Sequence, residues 1–296
     1  MLDIFSTPSE VPGLLLRSLV ALSFTGAAAY FDIFNKKWVP NYLVYGFLAC
    51  ALALNVIYFE QALFASALLA GIAVFAATYF LYRVGQLGGA DVYVLASISL
   101  CVPYLPKPLL AMQQAVPYPF ILSVLAPTGF AFILHTMARF LPYISKRLAQ
   151  GKIAFSLAKI AGPALLMAAF LFFVYALASL PVALPIQYVA ALSFLFASLF
   201  FFMLFKDEIK DSMVERIPVS RLQQEDVLAL EKMDKSLVKR LGLAPLISAK
   251  TILLLKKAKV RYAPVYTGMP FFLPYLFLGL LFTLLFGDML YYLVRL

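Results

Sequence analysis

The sequence predicts an all-α membrane protein, a polytopic helical bundle of about eight transmembrane spans with a small cytoplasmic domain between the last two. Two observations support this fold class. Of the 296 residues, 64% are hydrophobic and only 13% are charged, whereas a soluble domain is about half apolar and about a quarter charged. Apolar runs that approach the roughly 20 residues needed to cross a hydrocarbon core also recur along the chain. An ordinary soluble protein is therefore excluded.

The apolar runs are expected to form helices. Lipid offers no partners for backbone polar groups, and the runs are continuously apolar rather than alternating as the strands of a membrane barrel are. The fourth run is short. The predicted spans lie near residues 12–31, 42–59, 62–82, 91–105, 119–140, 161–180, 186–205 and 270–290.

The basic residues predict how the spans are oriented, because short loops rich in Lys and Arg stay in the cytoplasm. An external N-terminus places all but three of the 24 Lys and Arg on the inner side, the exceptions being Arg17, Lys107 and Arg295. We therefore expect a multi-pass protein of the cytoplasmic membrane with both termini external. Arg17 lies close enough to the outer end of the first span for its side chain to reach the headgroups. The first span lacks the features of a removable signal peptide.

Charge divides the chain into three parts. Residues 1–205 form the predicted transmembrane bundle, residues 206–269 are charged and form the predicted cytoplasmic domain, and residues 270–296 hold the final transmembrane helix.

Within the charged segment the two signs are separated. Eight acidic residues lie in 206–234, whereas 235–269 holds basic residues and no acid. Residues 217–220 suit a short strand, and Ser248 is placed to cap a basic helix that runs through Lys257.

The residues that usually bind metals are few and scattered. Cys50 and Cys101 are isolated, and His135 is the single histidine. Phosphate-binding and dinucleotide-binding glycine motifs are missing too, so we expect neither a metal nor a cofactor. The net charge of +10 comes from basic residues that, in the predicted orientation, lie mostly in the inner loops and hold the spans in that orientation. We therefore expect no nucleic-acid partner.

Two acidic residues fall where the predicted spans meet the cytoplasmic face. The first span descends to that face and ends at Asp32, and the fourth begins there at Asp91. Acids embedded in a membrane are costly and therefore indicate function. If the first and fourth helices are neighbours, the two carboxyls meet at the inner boundary of the bilayer. Such a pair shares a proton, because two like charges a few ångströms apart resist ionising together.

The residues around the two acids form recognisable motifs. Asp32 precedes Pro40-Asn41 at the start of the second span, Asp91 follows Gly88-Gly89-Ala90, and the last span starts with Met269-Pro270-Phe271-Phe272-Leu273-Pro274. These motifs resemble those of the type IV prepilin peptidases, especially the archaeal preflagellin peptidase branch. The resemblance covers residues 20–100 and 265–285. Two features depart from it: Ala90 stands where the family's GxGD motif has its second glycine, and eight spans are predicted where six are usual.

The resemblance implies an aspartyl endopeptidase that removes the short basic leader from pilin-like or archaellin-like precursors, the subunits of type IV pili and archaella. Those precursors and the membrane lipids would be its partners, and no cofactor is implied. Asp32 and Asp91 would be the catalytic pair. The supporting motif residues would be Gly88, Gly89, Ala90, Pro40, Asn41, Pro270 and Pro274.

Other interpretations of these residues stay open. Asp91 and Asn41 are both good N-cap residues and could simply start their helices. Presenilin-like and signal-peptide-peptidase-like proteases also use GxGD together with a Pro-Ala-Leu motif, which occurs here at 163–165; their two acids come from consecutive spans, whereas two spans intervene here. A proton-coupled transporter could use the same two aspartates, although such sites usually lie near the membrane midplane.

Overall fold

The computed structural model describes residues 11–35, 38–110, 118–179, 186–223, 226–267 and 270–295. The chain forms two compact units. The first contains Met1–Gly129 and Val214–Asp288, and the second contains Phe130–Met213 and Met289–Leu296.

Each predicted apolar run contains a helix. The helices are α1 (Leu14–Phe34), α2 (Asn41–Ile57), α3 (Gln61–Arg83), α4 (Gly89–Cys101), α5 (Phe120–Ala149), α6 (Leu157–Ala178), α7 (Ile186–Leu204), α8 (Lys206–Met213), α9 (Lys235–Leu241), α10 (Ala249–Lys257), α11 (Leu273–Phe286) and α12 (Met289–Arg295). Among the described residues α1, α3, α5, α6 and α7 are long and apolar enough to cross a membrane, while α2, α4 and α11 are shorter apolar helices. The chain is thus a polytopic helical membrane protein.

Helix α4 lies at the centre of the first unit, where it contacts α1, α2 and α3, and α11 packs on α1. Ten of the 13 residues of α4 are buried. Small residues allow the close packing, as in other membrane bundles. At Gly279 of α11 an added Cβ would lie 2.8 Å from the carbonyl oxygen of Val124 in α5, so these two helices approach each other backbone to backbone.

Arg17 joins three helices of the first unit. Its side chain is fully buried at 0% exposure, so the prediction that it reaches the headgroups is wrong. The guanidinium donates to the carbonyl oxygen of Cys101 at the end of α4 (2.9 Å), to that of Leu54 near the end of α2 (3.2 Å) and to the Asn55 Oδ1 (3.1 Å). Carbonyls at helix C-termini carry partial negative charge, which favours a cation there.

The first unit contains a small sheet, whose strands follow α8 and precede α11 in the chain. Strand β1 (Val214–Pro218) pairs antiparallel with β2 (Tyr262–Tyr266), and Val214 stands opposite Tyr266. The predicted strand at 217–220 therefore begins three residues earlier than expected, and a turn of 3₁₀ helix follows it at Val219–Arg221. The all-α prediction holds for the membrane helices but not for this sheet.

The residues around the sheet have a core of their own, which includes Val219, Leu228, Leu255 and Val265. The predicted cap of α10 is confirmed, because the Ser248 hydroxyl accepts a hydrogen bond from the backbone N–H of Thr251 at 3.2 Å. We call residues 214–267 the sheet module. The cytoplasmic placement of residues 206–269 stays a prediction.

The second unit contains the C-terminal two thirds of α5 together with α6, α7, α8 and α12. A small core of apolar side chains includes Phe140, Phe201 and Ile209. Lys159 of α6 and Glu208 of α8 form an ion pair at 2.5 Å, which ties the charged α8 to an apolar helix.

Candidate active site

Asp32 lies in the last turn of α1, and its side chain is 7% exposed. The helix ends two residues later, where the backbone N–H of Asn35 donates to the carbonyl oxygen of Phe31 at 2.8 Å. The Asn35 side chain then donates to the carbonyl oxygen of Trp38 at 2.8 Å, which turns the chain towards α2. Lys36 and Lys37 lie outside the described residues. The first acid is therefore buried directly before a turn.

Asp91 is the third residue of α4 and is 8% exposed. Its Oδ2 accepts a hydrogen bond from the backbone N–H of Gly88 at 2.9 Å. Asp91 thus supports the start of the helix, but from the third position and not from the N-cap position that the capping interpretation assigned to it. This hydrogen bond also fixes the orientation of the carboxyl.

The glycines before Asp91 allow this approach. An added Cβ at Gly88 would lie 3.3 Å from the Asp91 Oδ2, a tight contact. Gly85 ends α3 with φ +80°, a left-handed conformation that favours glycine. Its N–H donates to the carbonyl oxygen of Tyr82 at 2.8 Å. The sequence Gly88-Gly89-Ala90 then leads directly into the first turn of α4.

The structure brings the two acids together. Helices α1 and α4 are in contact, and the carboxyls of Asp32 and Asp91 interact electrostatically. Both side chains are more than nine-tenths buried. Two ionised carboxylates would repel each other in such surroundings. The shared proton expected for this pair stays a prediction. In this arrangement an ionised carboxyl can accept a proton from a water molecule while its protonated partner donates one.

Pro40 and Asn41 set the start of α2. Pro40 is buried and occupies the N-cap position, and its carbonyl oxygen accepts a hydrogen bond from the N–H of Leu43 at 3.0 Å. Asn41 is the exposed first residue of the helix, so the interpretation of Asn41 as an N-cap is wrong. Helix α2 contacts both α1 and α4, the helices that carry the acids.

Pro270 and Pro274 flank the start of α11. Phe272 is the N-cap residue and Pro274 is the second residue of the helix, a position that tolerates proline because its N–H would have no partner. Pro274 thus lies in the first turn of the last span, as expected, whereas Pro270 lies before the helix. Phe277, one turn further on, packs against Gly26 of α1, where an added Cβ would lie 3.1 Å from its ring.

The described residues hold no group of three or more His, Cys, Asp and Glu side chains that could bind a metal. Cys50 and Cys101 are both free cysteines, and the Cys101 thiol donates to the carbonyl oxygen of Arg17 at 3.2 Å.

Sequence reasoning missed a contact between the sheet module and the loop that leads to Asp91. An added Cβ at Gly85 would lie 3.6 Å from a methyl group of Val227 and 3.8 Å from the Cβ of Pro245. The backbone holds the two module residues together, since the N–H of Leu228 donates to the carbonyl oxygen of Pro245 at 2.7 Å. In the sequence, the glycine after the third span, Gly85, was the one sign that another part of the chain comes close to this loop.

Residues 19–135 match the sequence profile of the type IV leader peptidase family. The match includes both aspartates, Pro40-Asn41 and the glycines before Asp91, and it excludes Pro270, Pro274 and the sheet module. Comparisons with curated proteins and with solved structures gave no match.

Proposed function

We propose that this chain, whose residues 19–135 match the type IV leader peptidase family, removes the short basic leader from pilin-like or archaellin-like precursors at the cytoplasmic boundary of the membrane. The match supports an aspartic-type peptidase that cleaves the leader peptides of prepilin-like substrates. The archaeal preflagellin branch is the finer assignment that we propose from the motifs.

One observation carries the assignment of the site. The matched segment contains two buried acids from different helices, Asp32 and Asp91, whose carboxyls interact. A buried acid is costly unless it has a partner or a task. Asp91 uses one oxygen to start its helix, but the same hydrogen bond could be made by Asn. The choice of two acids, rather than an acid and an amide, supports proton transfer.

The proposed mechanism uses the shared proton. The ionised carboxyl takes a proton from a water molecule as the water oxygen attacks the scissile carbonyl, and the protonated carboxyl donates its proton to the carbonyl oxygen. Collapse of the tetrahedral intermediate breaks the C–N bond. The leaving amine receives the proton that the pair holds, and a hydroxyl of the intermediate returns its proton to the pair as the carbonyl re-forms. The two carboxyls finish the cycle sharing one proton again.

The position of the pair suits a precursor with a basic leader and an apolar helix. With the predicted orientation the helix can stay in lipid while the leader remains in the cytoplasm. Reporters fused after Lys37, Lys152 and Lys235 are expected to be cytoplasmic, and those after Glu60 and Lys107 external. An external reporter at Lys37 would place Asp32 on the wrong side and contradict the proposal.

The decisive experiment is cleavage of a pilin-like precursor by the purified protein in detergent, followed by gel shift. Asp32→Asn and Asp91→Asn are each expected to abolish cleavage while the protein stays inserted and folded. Asp226→Asn is the matched control. The Asp226 carboxyl also accepts a hydrogen bond from the N–H three residues earlier, that of Gln223 at 2.8 Å, and this variant is expected to cleave normally.

Full cleavage by either single variant of the pair would refute the assignment. A wild-type protein that moves protons across a vesicle membrane but cleaves no precursor would favour the transporter instead. Chelators are expected to leave the wild-type rate unchanged, because the mechanism requires no metal.

A further inference from the structure

The sheet module has an open cavity of about 520 Å³ at one end of its sheet. One wall is the end of β1 and the turn after it, Pro218–Ser220, and the other runs from Lys256 at the end of α10 to Tyr262 at the start of β2. The backbone N–H of Val219 donates to the carbonyl oxygen of Arg261 at 3.1 Å, which joins the two walls.

Three basic side chains line this cavity: Lys256, Lys259 and Arg261. The 235–269 segment that carries them contains no acidic residue. Within the part of the chain that the structure describes, none of the three forms an ion pair with a carboxylate. Their charges therefore add up in the cavity and attract an anion.

The backbone is strained where it brings these cations together. Lys259 has φ 55°, and it is the one residue other than glycine with a positive φ among those described. The turn is closed by hydrogen bonds from the N–H of Lys259 to the carbonyl oxygen of Lys256 (3.0 Å) and from the N–H of Val260 to that of Leu255 (3.1 Å). Glycine would adopt this conformation without strain. A lysine that keeps this conformation in place of glycine supports a task for its side chain.

The remaining lining residues complement the cations. Ser220 and Tyr262 contribute hydroxyl groups, and Pro218, Val219 and Val260 contribute apolar surface. Guanidinium, ammonium and hydroxyl donors together suit the oxygens of a phosphate group. The cavity is within the usual size range of small-molecule sites, roughly 300–1,000 Å³, and exceeds the needs of a bare phosphate ion.

We propose that this cavity binds a phosphate group carried by an organic molecule, as a site separate from the aspartate pair. The same chemistry is offered by a soluble phosphate ester and by the headgroup of an anionic phospholipid. The cavity lies at the end of the sheet away from the chain's connections to α8 and α11, because those connections are at Val214 and Tyr266. A soluble ligand reaches it directly, whereas a headgroup reaches it only if the sheet lies along the membrane surface.

The test measures the rate at which an acylating reagent labels individual lysines of the full chain in nanodiscs. One arm compares inorganic phosphate with chloride at equal ionic strength in phosphatidylcholine. The other arm replaces part of the lipid by phosphatidylglycerol without added phosphate. Labelling of Lys256 and Lys259 is expected to slow about threefold when the probe is present at about twice its dissociation constant. Lys235 and Lys239 on α9, which are also exposed, serve as internal controls.

Protection in the phosphate arm assigns a soluble ligand, and protection in the phosphatidylglycerol arm alone assigns a headgroup. Equal slowing at all four lysines, or none, would overturn the proposal, because it would indicate general screening of charge or no site. A second readout is the rise in apparent Tm on adding phosphate. It is expected to vanish in Lys256→Gln/Lys259→Gln/Arg261→Gln and to persist in Lys235→Gln/Lys239→Gln/Arg240→Gln, which removes the same charge from α9. Neither readout depends on cleavage of a precursor.

Discussion

Replacing Arg17 by Met is expected to destabilise the protein by about 3 kcal/mol. The buried guanidinium holds α1, α2 and α4 together at the end of these helices opposite the aspartate pair. The distance along α1 from Arg17 to Asp32 is roughly 22 Å at 1.5 Å per residue. The variant therefore tests a contact far from the chemistry but on the same three helices.

The magnitude follows from the acceptors that lose their donor. The Cys101 carbonyl oxygen (2.9 Å) and the Asn55 Oδ1 (3.1 Å) would be left without the guanidinium, whereas the Leu54 carbonyl oxygen keeps the N–H of Tyr58 at 3.0 Å. A buried acceptor without a partner costs about 1–3 kcal/mol, so two cost about 4 kcal/mol. Removal of a buried charge offsets about 1 kcal/mol of this loss.

The assay is equilibrium unfolding in mixed micelles with increasing sodium dodecyl sulfate. Lys107→Met is the matched control, because Lys107 is an exposed cation and the variant loses the same charge. Arg17→Met/Asn55→Leu is expected to be less unstable than the sum of the two single variants by about 1–2 kcal/mol. An unfolding midpoint for Arg17→Met equal to that of Lys107→Met would refute the structural role of Arg17.

Three further outcomes are expected. Gly88→Ala places a Cβ 3.3 Å from the Asp91 Oδ2; its kcat is expected to fall about tenfold without loss of folded protein in size-exclusion chromatography. Val227→Ala removes the methyl groups that lie next to Gly85 and is expected to lower kcat about twofold with KM unchanged. Val227→Ile keeps apolar bulk there and is expected to keep the wild-type kcat. Burial raises the pKa of Asp226, so its charge destabilises the fold increasingly as pH rises above about 4. Asp226→Asn is therefore expected to have a higher Tm than the wild type at pH 7, and thermal scans should find no difference at low pH.

The membrane helices could be predicted because lipid forces each long apolar run into a helix. Their ends were predicted less well. Helix α5 continues to Ala149, well past the predicted end at residue 140, because a helix can extend beyond the apolar layer wherever its residues favour it. The last span was predicted to reach residue 290, but α11 ends at Phe286, where Gly287 has φ +89°.

The aspartate pair could be predicted because the alternating direction of the spans places the end of the first and the start of the fourth at one face. Its catalytic role stays a prediction. The burial of Arg17 could not be predicted, since an arginine near a span end usually reaches the headgroups. The approach of Val227 to Gly85 could not be predicted either, because it depends on the tertiary fold of the sheet module.

The short length of α4 accounts for buried polar groups at both of its ends. Its 13 residues span about 20 Å, less than the roughly 30 Å of a hydrocarbon core, so water cannot satisfy both ends. At the C-terminal end the carbonyl oxygens of Leu100 and Cys101 accept from Asn55 (2.8 Å) and Arg17 (2.9 Å). At the N-terminal end Gly88 donates to Asp91 (2.9 Å).

Asp91 therefore has a structural task and a proposed chemical one, and two substitutions separate them. Asn keeps an acceptor for the N–H of Gly88 but cannot exchange the shared proton, whereas Ala removes both. Both variants are expected to be inactive in precursor cleavage. Asp91→Ala is expected to be less stable than Asp91→Asn by about 1 kcal/mol, measured by the same detergent unfolding. Equal stability of the two variants would mean that the hydrogen bond to Gly88 contributes nothing to the start of α4, and full cleavage by Asp91→Asn would mean that the carboxyl serves the helix alone.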